Sequence, residues 1–209
     1  MDNKTLKRLI IATKHRAANL SDKQKAALRA LDRTSTNGFN GGCVVDIVGV
    51  FAGVKPAAFI ELGAKLQPLI EALGLVYVPI DNEVGVTSRL VELAEELSVT
   101  MQSMWKAKDD NTEDNKKIGA LLGYPATATD YYIRRLPTMH TDKALPIIDT
   151  PVGPGVPNDY YVQFILSPDY YESEIEQYVV PLEAAAKEFA PKTHKLYERL
   201  VRDEQAVIS

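Results

Sequence analysis

Two short apolar segments in the first half of the chain enclose an amphipathic segment. Residues 57–62 and 75–80 have the length and composition of buried strands. Between them, residues 64–73 carry apolar side chains at helical spacing and end at Gly74. A strand, a helix of about three turns and a second strand are typical of a right-handed parallel crossover. The order predicts an α/β fold (mixed α+β) with a small mixed sheet of three to five strands flanked by helices, in which these two strands pair in parallel.

Residues 43–51 are consistent with two structures. Their β-branched side chains favour a buried strand, but Val44, Ile47, Val48 and Phe51 also lie on one helical face. Gly53 followed by Pro56 is a helix-stop signal, which favours a helix. The other predicted elements are helices at 4–18, 21–33, 88–104 and 125–135, a helical turn at 117–122, strands at 84–87 and 160–166, a loop at 34–42, and helices after Ser167 and Pro191.

Size and composition predict one globular domain over residues 1–209, with a helical N-terminal region at about 1–52. The chain has 209 residues, of which 45% are hydrophobic and 25% charged. A net charge of −4 argues against nucleic acid as a partner. The single cysteine, Cys43, cannot form an internal disulfide and suits the cytoplasm. The apolar stretch at 43–60 is interrupted by Asp46, Lys55 and Pro56, so no membrane association is expected.

The sequence contains no phosphate-binding loop, dinucleotide fingerprint or nucleophile elbow. His15, His140 and His194 each lack a second ligand at metal spacing, so no metal site is predicted. Glu172, Glu174 and Glu176 alternate along a predicted helix, which spreads them around its surface and favours solvated side chains. The sequence therefore names no base or nucleophile, and it leaves the cofactor unknown.

Two turns remain as candidate ligand sites. The first, Gly53-Val54-Lys55-Pro56, holds a lysine in a tight turn at the start of a strand. The second, at residues 119–125, places Tyr124 between Gly123 and Pro125 in a sharp turn between helices, with Arg134 and Arg135 at the far end of the following helix.

A proline-rich segment at residues 136–159 is the candidate for a lid over these turns. Five prolines exclude a helix or a central strand there, while its apolar residues predict that part of it packs against the domain. Such a segment is typical of a lid over a binding site. His140, at its start, is then placed to reach a ligand near Tyr124.

These observations predict a cleft that binds a small anionic ligand, lined by Lys55, Tyr124, Arg134, Arg135 and His140. The alternative is a non-catalytic protein–protein interaction module, because the sequence shows no catalytic constellation and carries many aromatic residues near the predicted C-terminal strand, and tyrosine is enriched at interfaces. The sequence leaves open whether the chain is an enzyme and whether it forms a homo-oligomer.

The two turns also resemble those of an uncharacterised family of small prokaryotic proteins, mainly archaeal. Its members carry a Gly-x-Leu-Leu-Gly-Tyr-Pro segment before a helix, preceded by a Lys-Pro turn that enters a strand. The matching residues here are Lys55-Pro56, Gly119 with the run at 121–125, and the segment at 164–174, of which only the run at 121–125 is specific. In the family, Glu-Cys or Cys-Cys often follows the proline, whereas Ala126-Thr127-Ala128 stands here. The resemblance therefore implies no thiol chemistry and supplies no reaction.

Overall fold

A computed structural model describes residues 1–14, 19–35, 38–106, 111–138, 161 and 163–208. It confirms the predicted fold class, a helix-rich α/β structure in which helices flank a sheet of three strands. The first half contains α1 (Asn3–Ala12), α2 (Asp22–Thr34), α3 (Gly38–Ala52), β1 (Ala57–Ile60), α4 (Gly63–Ala72), β2 (Val76–Pro79) and β3 (Gly85–Ser88). The second half contains α5 (Val91–Lys106), α6 (Thr112–Leu122), α7 (Ala126–Arg135), a 3₁₀ turn (Leu136–Thr138), α8 (Tyr171–Glu174), a π turn (Ile175–Val179), α9 (Val180–Phe189) and α10 (Pro191–Ile208).

The sheet has the order β1-β3-β2, and both pairings are antiparallel. The predicted parallel pairing of residues 57–62 with 75–80 is therefore wrong, and the sheet is antiparallel instead of mixed. The physical reason is a tight turn after β2, in which the Asp81 carboxylate accepts hydrogen bonds from the backbone N–H groups of Glu83 and Val84. This turn folds β3 back onto β2 as a hairpin, and the other edge of β3 then pairs with β1.

Helices cover both faces of the sheet. Ala58 and Ile60 of β1 pack into a core formed with α2, α3 and α4. Ala57 and Phe59 face the other way, into a core formed with α5 and α6. The alternation follows from the two-residue period of a strand, and burial of both faces explains why β1 is apolar throughout.

Helix α3 resolves the ambiguity at residues 43–51 in favour of the helix. It is surrounded by protein, since Val44, Val45, Ile47, Val48 and Val50 are fully buried. It ends at Gly53, which has a φ of 77° and so supplies the left-handed backbone of the stop signal. The predicted loop at 34–42 is too long, because α3 begins at Gly38.

The C-terminal region departs further from expectation. Residues 163–166 do not form the predicted strand, and the helix expected after Ser167 begins at Tyr171. Pro181 follows a π turn in which Val180 N–H bonds to Ile175 O, five residues earlier. A wide turn accommodates a residue that has no N–H and that crowds the carbonyl of the preceding turn.

Candidate functional site

The two candidate turns lie against each other. Gly123 has a φ of 81°, and a Cβ atom added there would lie 2.8 Å from Pro56 Cδ and 3.7 Å from Lys55 Cα. A glycine at this position therefore permits both the left-handed backbone and the close approach. As a result, Lys55 and Tyr124 line the same cavity.

The ammonium group of Lys55 is held at the centre of a polar cluster, which we define as Asp46, Lys55, Tyr124, Gln163 and Tyr178. Lys55 is only 1% exposed. Its Nζ forms an ion pair with the Asp46 carboxylate and donates to Gln163 Oε1 at 2.6 Å. The Tyr178 hydroxyl donates to the same amide oxygen at 2.7 Å. The Tyr124 and Tyr178 ring centroids each lie 5.9 Å from Nζ, within the range of a cation–π contact.

Helix α3 supplies both the counter-ion and the space for the lysine. Asp46 is the one charged residue of this helix. Gly49 lies close to one turn further on, and a Cβ atom there would be 3.1 Å from both Cγ and Cδ of Lys55. The backbone N–H groups of Val54 and Lys55 both donate to Gly49 O. The chain thus folds back over α3, and the aliphatic part of the Lys55 side chain crosses the helix at Gly49, which has no side chain of its own.

A cavity of about 650 Å³ adjoins the polar cluster. It lies between β1, α5, α6, α7 and residues 163–165. Most of its lining is apolar: Phe59, Met101, Met104, Ile118, Leu122, Ala128, Phe164 and Ile165. Of its other polar residues, Asn115 and Thr129 donate to the backbone carbonyls of Asn111 and Pro125, respectively. The cavity therefore has the composition of a small-molecule site, apolar with a few converging polar groups.

The two tyrosines of the polar cluster keep their protons. Burial raises the pKa of Tyr124 above its usual range, and the nearby Asp46 carboxylate raises it further. Burial also raises the pKa of Tyr178, with added contributions from Tyr124 and Asp46. Within the described part of the chain, the Tyr124 hydroxyl has no hydrogen-bond partner, while that of Tyr178 is bonded to Gln163. Tyr124 is therefore a neutral group that can donate a hydrogen bond to a ligand.

Two predicted site residues, Arg134 and Arg135, lie elsewhere. Arg134 is exposed, with its guanidinium 5.6 Å from the Tyr131 ring centroid. Arg135 is buried, and neither arginine lines the cavity. His140 and the lid predicted around it lie outside the described residues, except for the 3₁₀ turn at Leu136–Thr138.

Sequence reasoning did not select Asp46, Gln163 or Tyr178. One signal was available for Asp46, because a lone carboxylate in an otherwise apolar buried helix requires a partner. Gln163 and Tyr178 have no comparable signal, since their roles depend on contacts between distant parts of the chain.

Glu174 corrects the prediction that the three alternating glutamates are all solvated. Glu172 and Glu176 are exposed, but Glu174 is only 1% exposed. Its carboxylate accepts hydrogen bonds from Thr127 Oγ1 at 2.6 Å and from the Ser167 backbone N–H at 2.8 Å. Glu174 thereby ties α7 to the segment at residues 163–167, which supplies Gln163 to the polar cluster.

We expect Glu174→Ala to lower the free energy of unfolding by about 2–3 kcal/mol, because it leaves buried donors without an acceptor. The matched control, Glu176→Ala, removes the same side chain two residues away from an exposed position and should change it by less than about 0.5 kcal/mol. Urea unfolding of both variants measures the difference. Equal effects would contradict the structural role given to Glu174.

Within the described ranges, no three His, Cys, Asp or Glu side chains come together as metal ligands. The helices described for this chain include none with the length and apolar character needed to cross a membrane. No family model, curated protein or solved structure matches the chain. The resemblance of its two turns to the archaeal family stays a prediction, and the contacts around the cavity are the basis for assigning a function.

Proposed function

We propose that the protein binds a small organic molecule in the 650 Å³ cavity. The molecule has an apolar body, which packs against the Met, Phe, Leu and Ile side chains, and one polar group, which bonds to Lys55. The observation that supports this proposal most directly is the placement of a desolvated ion pair at the wall of an apolar cavity.

The charges of the polar cluster narrow the class of ligand. Asp46 neutralises Lys55, so the formal charge of the pair is zero. An ammonium group has three N–H donors, of which Asp46 and Gln163 accept two. The third can bond to an acceptor on the ligand, and Tyr124 can donate to the same acceptor. The anionic ligand expected from the sequence is thus broadened to any molecule with a carbonyl or carboxylate oxygen. A cationic ligand is disfavoured, because it would add a second positive charge beside Lys55.

The test uses the methyl groups of methionine as probes. The chain has only 4 methionines, and two of them, Met101 and Met104, line the cavity. We expect 3-phenylpropanamide or 3-phenylpropanoate, each with about 11 non-hydrogen atoms, to shift both methyl resonances with a dissociation constant of about 4 mM, given about 0.3 kcal/mol per non-hydrogen atom. The cation 3-phenylpropylamine should shift them less, and the N-terminal Met1, which lies outside the cavity lining, serves as an internal reference.

Two substitutions on α7 make the test specific to the cavity. Ala128 is buried and lines it, whereas Ala126 is exposed on the same helix. We expect Ala128→Leu to abolish the ligand-induced shifts because it occupies the space, and Ala126→Leu to preserve them. The proposal fails if neither the amide nor the carboxylate perturbs Met101 and Met104 in the wild-type protein.

The alternative, a non-catalytic interaction module, has no comparable support. The large apolar side chains that are exposed among the described residues are spread over several elements: Met1 before α1, Ile11 on α1, Val91, Val99 and Trp105 on α5, Tyr170 before α8, and Val180 on α9. A cytoplasmic location stays a prediction from the single cysteine.

A further inference from the structure

We infer that Lys55 is a nucleophile, and that it forms a covalent iminium with the carbonyl carbon of an aldehyde or ketone held in the cavity. This inference rests on the proposed function, because the carbonyl compound must first bind there. It assigns a chemistry to the polar cluster that binding alone does not require.

The first support is the pairing of the amine with a base. Asp46 is in direct contact with Lys55 Nζ, so its carboxylate is placed to accept the proton that the ammonium must give up before nitrogen attacks a carbonyl group. Proton transfer from the ammonium to this carboxylate turns two charged groups into two neutral ones.

The second support is where the ion pair lies. A buried ion pair adds little net stability compared with apolar residues of the same size, so stability alone does not account for it. This pair borders a cavity, and the carboxylate side chain keeps 17% of its surface exposed. Asp46 and Lys55 both line the cavity, so a small carbonyl compound held there lies next to the base and the amine. Because Lys55 is 1% exposed, attack requires its amine to turn towards the ligand.

The reaction balances without any other reactant. Asp46 takes a proton from the ammonium, and the nitrogen lone pair forms a bond to the carbonyl carbon while the π electrons move to oxygen. Asp46 passes its proton to that oxygen, takes a second proton from nitrogen and delivers it to the hydroxyl group. The C–O bond then breaks, water leaves, and the nitrogen lone pair completes the C=N bond.

Over the whole sequence two protons move from nitrogen to oxygen, and one positive charge is conserved. The ammonium becomes an iminium with the same charge, so Asp46 ends as a carboxylate paired with a cation, as it began. Tyr124, whose phenol keeps its proton, can donate a hydrogen bond to the carbonyl oxygen as negative charge develops on it.

The experiment traps the iminium in the wild-type protein. The protein is incubated with 3-phenylpropanal, reduced with sodium borohydride, digested and mapped by mass spectrometry. We expect the secondary amine at Lys55 to form at least about tenfold faster than at any exposed lysine, because a positioned base assists the attack. In parallel, 3-phenylpropanol, which has no carbonyl group, is titrated against the Met101 and Met104 methyl resonances.

The two measurements separate the two proposals. If the alcohol shifts both methyl resonances but Lys55 is labelled no faster than exposed lysines, the iminium is refuted and ligand binding stands. If neither the alcohol nor the aldehyde perturbs these resonances and Lys55 is unlabelled, both proposals are refuted. Preferential labelling of Lys55 supports both.

Two variants test the roles of the partners. Lys55→Arg keeps the positive charge but cannot form an iminium, so we expect it to lose the trapped adduct. Asp46→Asn keeps the amine but removes the base, and should slow trapping at Lys55 by at least about tenfold. Unchanged trapping in Asp46→Asn would refute the role of Asp46. If either variant fails to fold, the mass-spectrometric map of trapped lysines in the wild-type protein still tests whether Lys55 forms the iminium.

Discussion

Replacing Lys55 with methionine is expected to lower the free energy of unfolding by about 3 kcal/mol, because removing one partner of a buried ion pair leaves the other charge uncompensated. Methionine fills a similar volume, so the loss reports the charge and not a cavity. Gln163 Oε1 would retain its bond from Tyr178 but lose the bond from Lys55. Urea unfolding at neutral pH, followed by Trp105 fluorescence and by circular dichroism, measures the change.

The double variant Lys55→Met with Asp46→Leu is the informative control. It removes both charges, so we expect it to recover most of the lost stability. Lys65→Met, which alters an exposed lysine on α4, should stay within about 0.5 kcal/mol of the wild type. If Lys55→Met were as stable as Lys65→Met, the pair with Asp46 would not be buried as the structure shows it.

Gly123→Ala is expected to lower the free energy of unfolding by about 3 kcal/mol, the sum of a left-handed backbone penalty and a steric one. The φ of 81° disfavours any residue with a Cβ atom. In addition, that atom would lie 2.8 Å from Pro56 Cδ, on a ring that cannot rotate away. Relief of this contact requires the two turns to separate, so the variant should also weaken ligand binding in the cavity.

Gly74→Ala isolates the steric part of this effect. Gly74 has the same φ of 81°, but the nearest atom to an added Cβ is Gln24 Nε2 at 4.0 Å, on a flexible side chain. It should therefore cost only about 1 kcal/mol, the backbone penalty alone. Equal losses in the two variants would show that the turns at Gly123 and Pro56 do not depend on their close contact.

The features that could be predicted from the sequence are those determined by residues near one another in the chain. The capping box of Ser21 and Gln24 forms as its spacing predicts, and Gly53, Gly74 and Gly123 adopt the left-handed backbone expected of helix stops. The pairing of the strands is different, because it is decided by competition between distant segments. The turn at Asp81 joins β2 and β3, which are neighbours in the sequence, into a hairpin. The pattern of apolar residues does not reveal that the other edge of β3 then pairs with β1.

The candidate site divides in the same way. Lys55 and Tyr124 could be selected because glycine and proline restrict the turns that carry them, and the structure places both at one cavity. Gln163 is 108 residues away from Lys55 in sequence, and no local pattern connects them. Glu174 was interpreted from helical spacing alone, whereas its burial results from the packing of α7 and residues 163–167 against α8.

The π turn at Ile175–Val179 has a consequence for how this chain tolerates insertions and deletions. Such a turn holds one residue more than an α-helical turn, and one residue corresponds to a rotation of about 100° around the helix axis. Glu174 precedes the wide turn and Tyr178 lies within it, and these two residues hold opposite ends of the segment at 163–167. Deletion of a single residue here would restore a regular helix with intact backbone hydrogen bonds. It would also turn Tyr178 away from Gln163. The helical content would then be unchanged, but Gln163, which accepts a hydrogen bond from Lys55, would lose its bond from Tyr178.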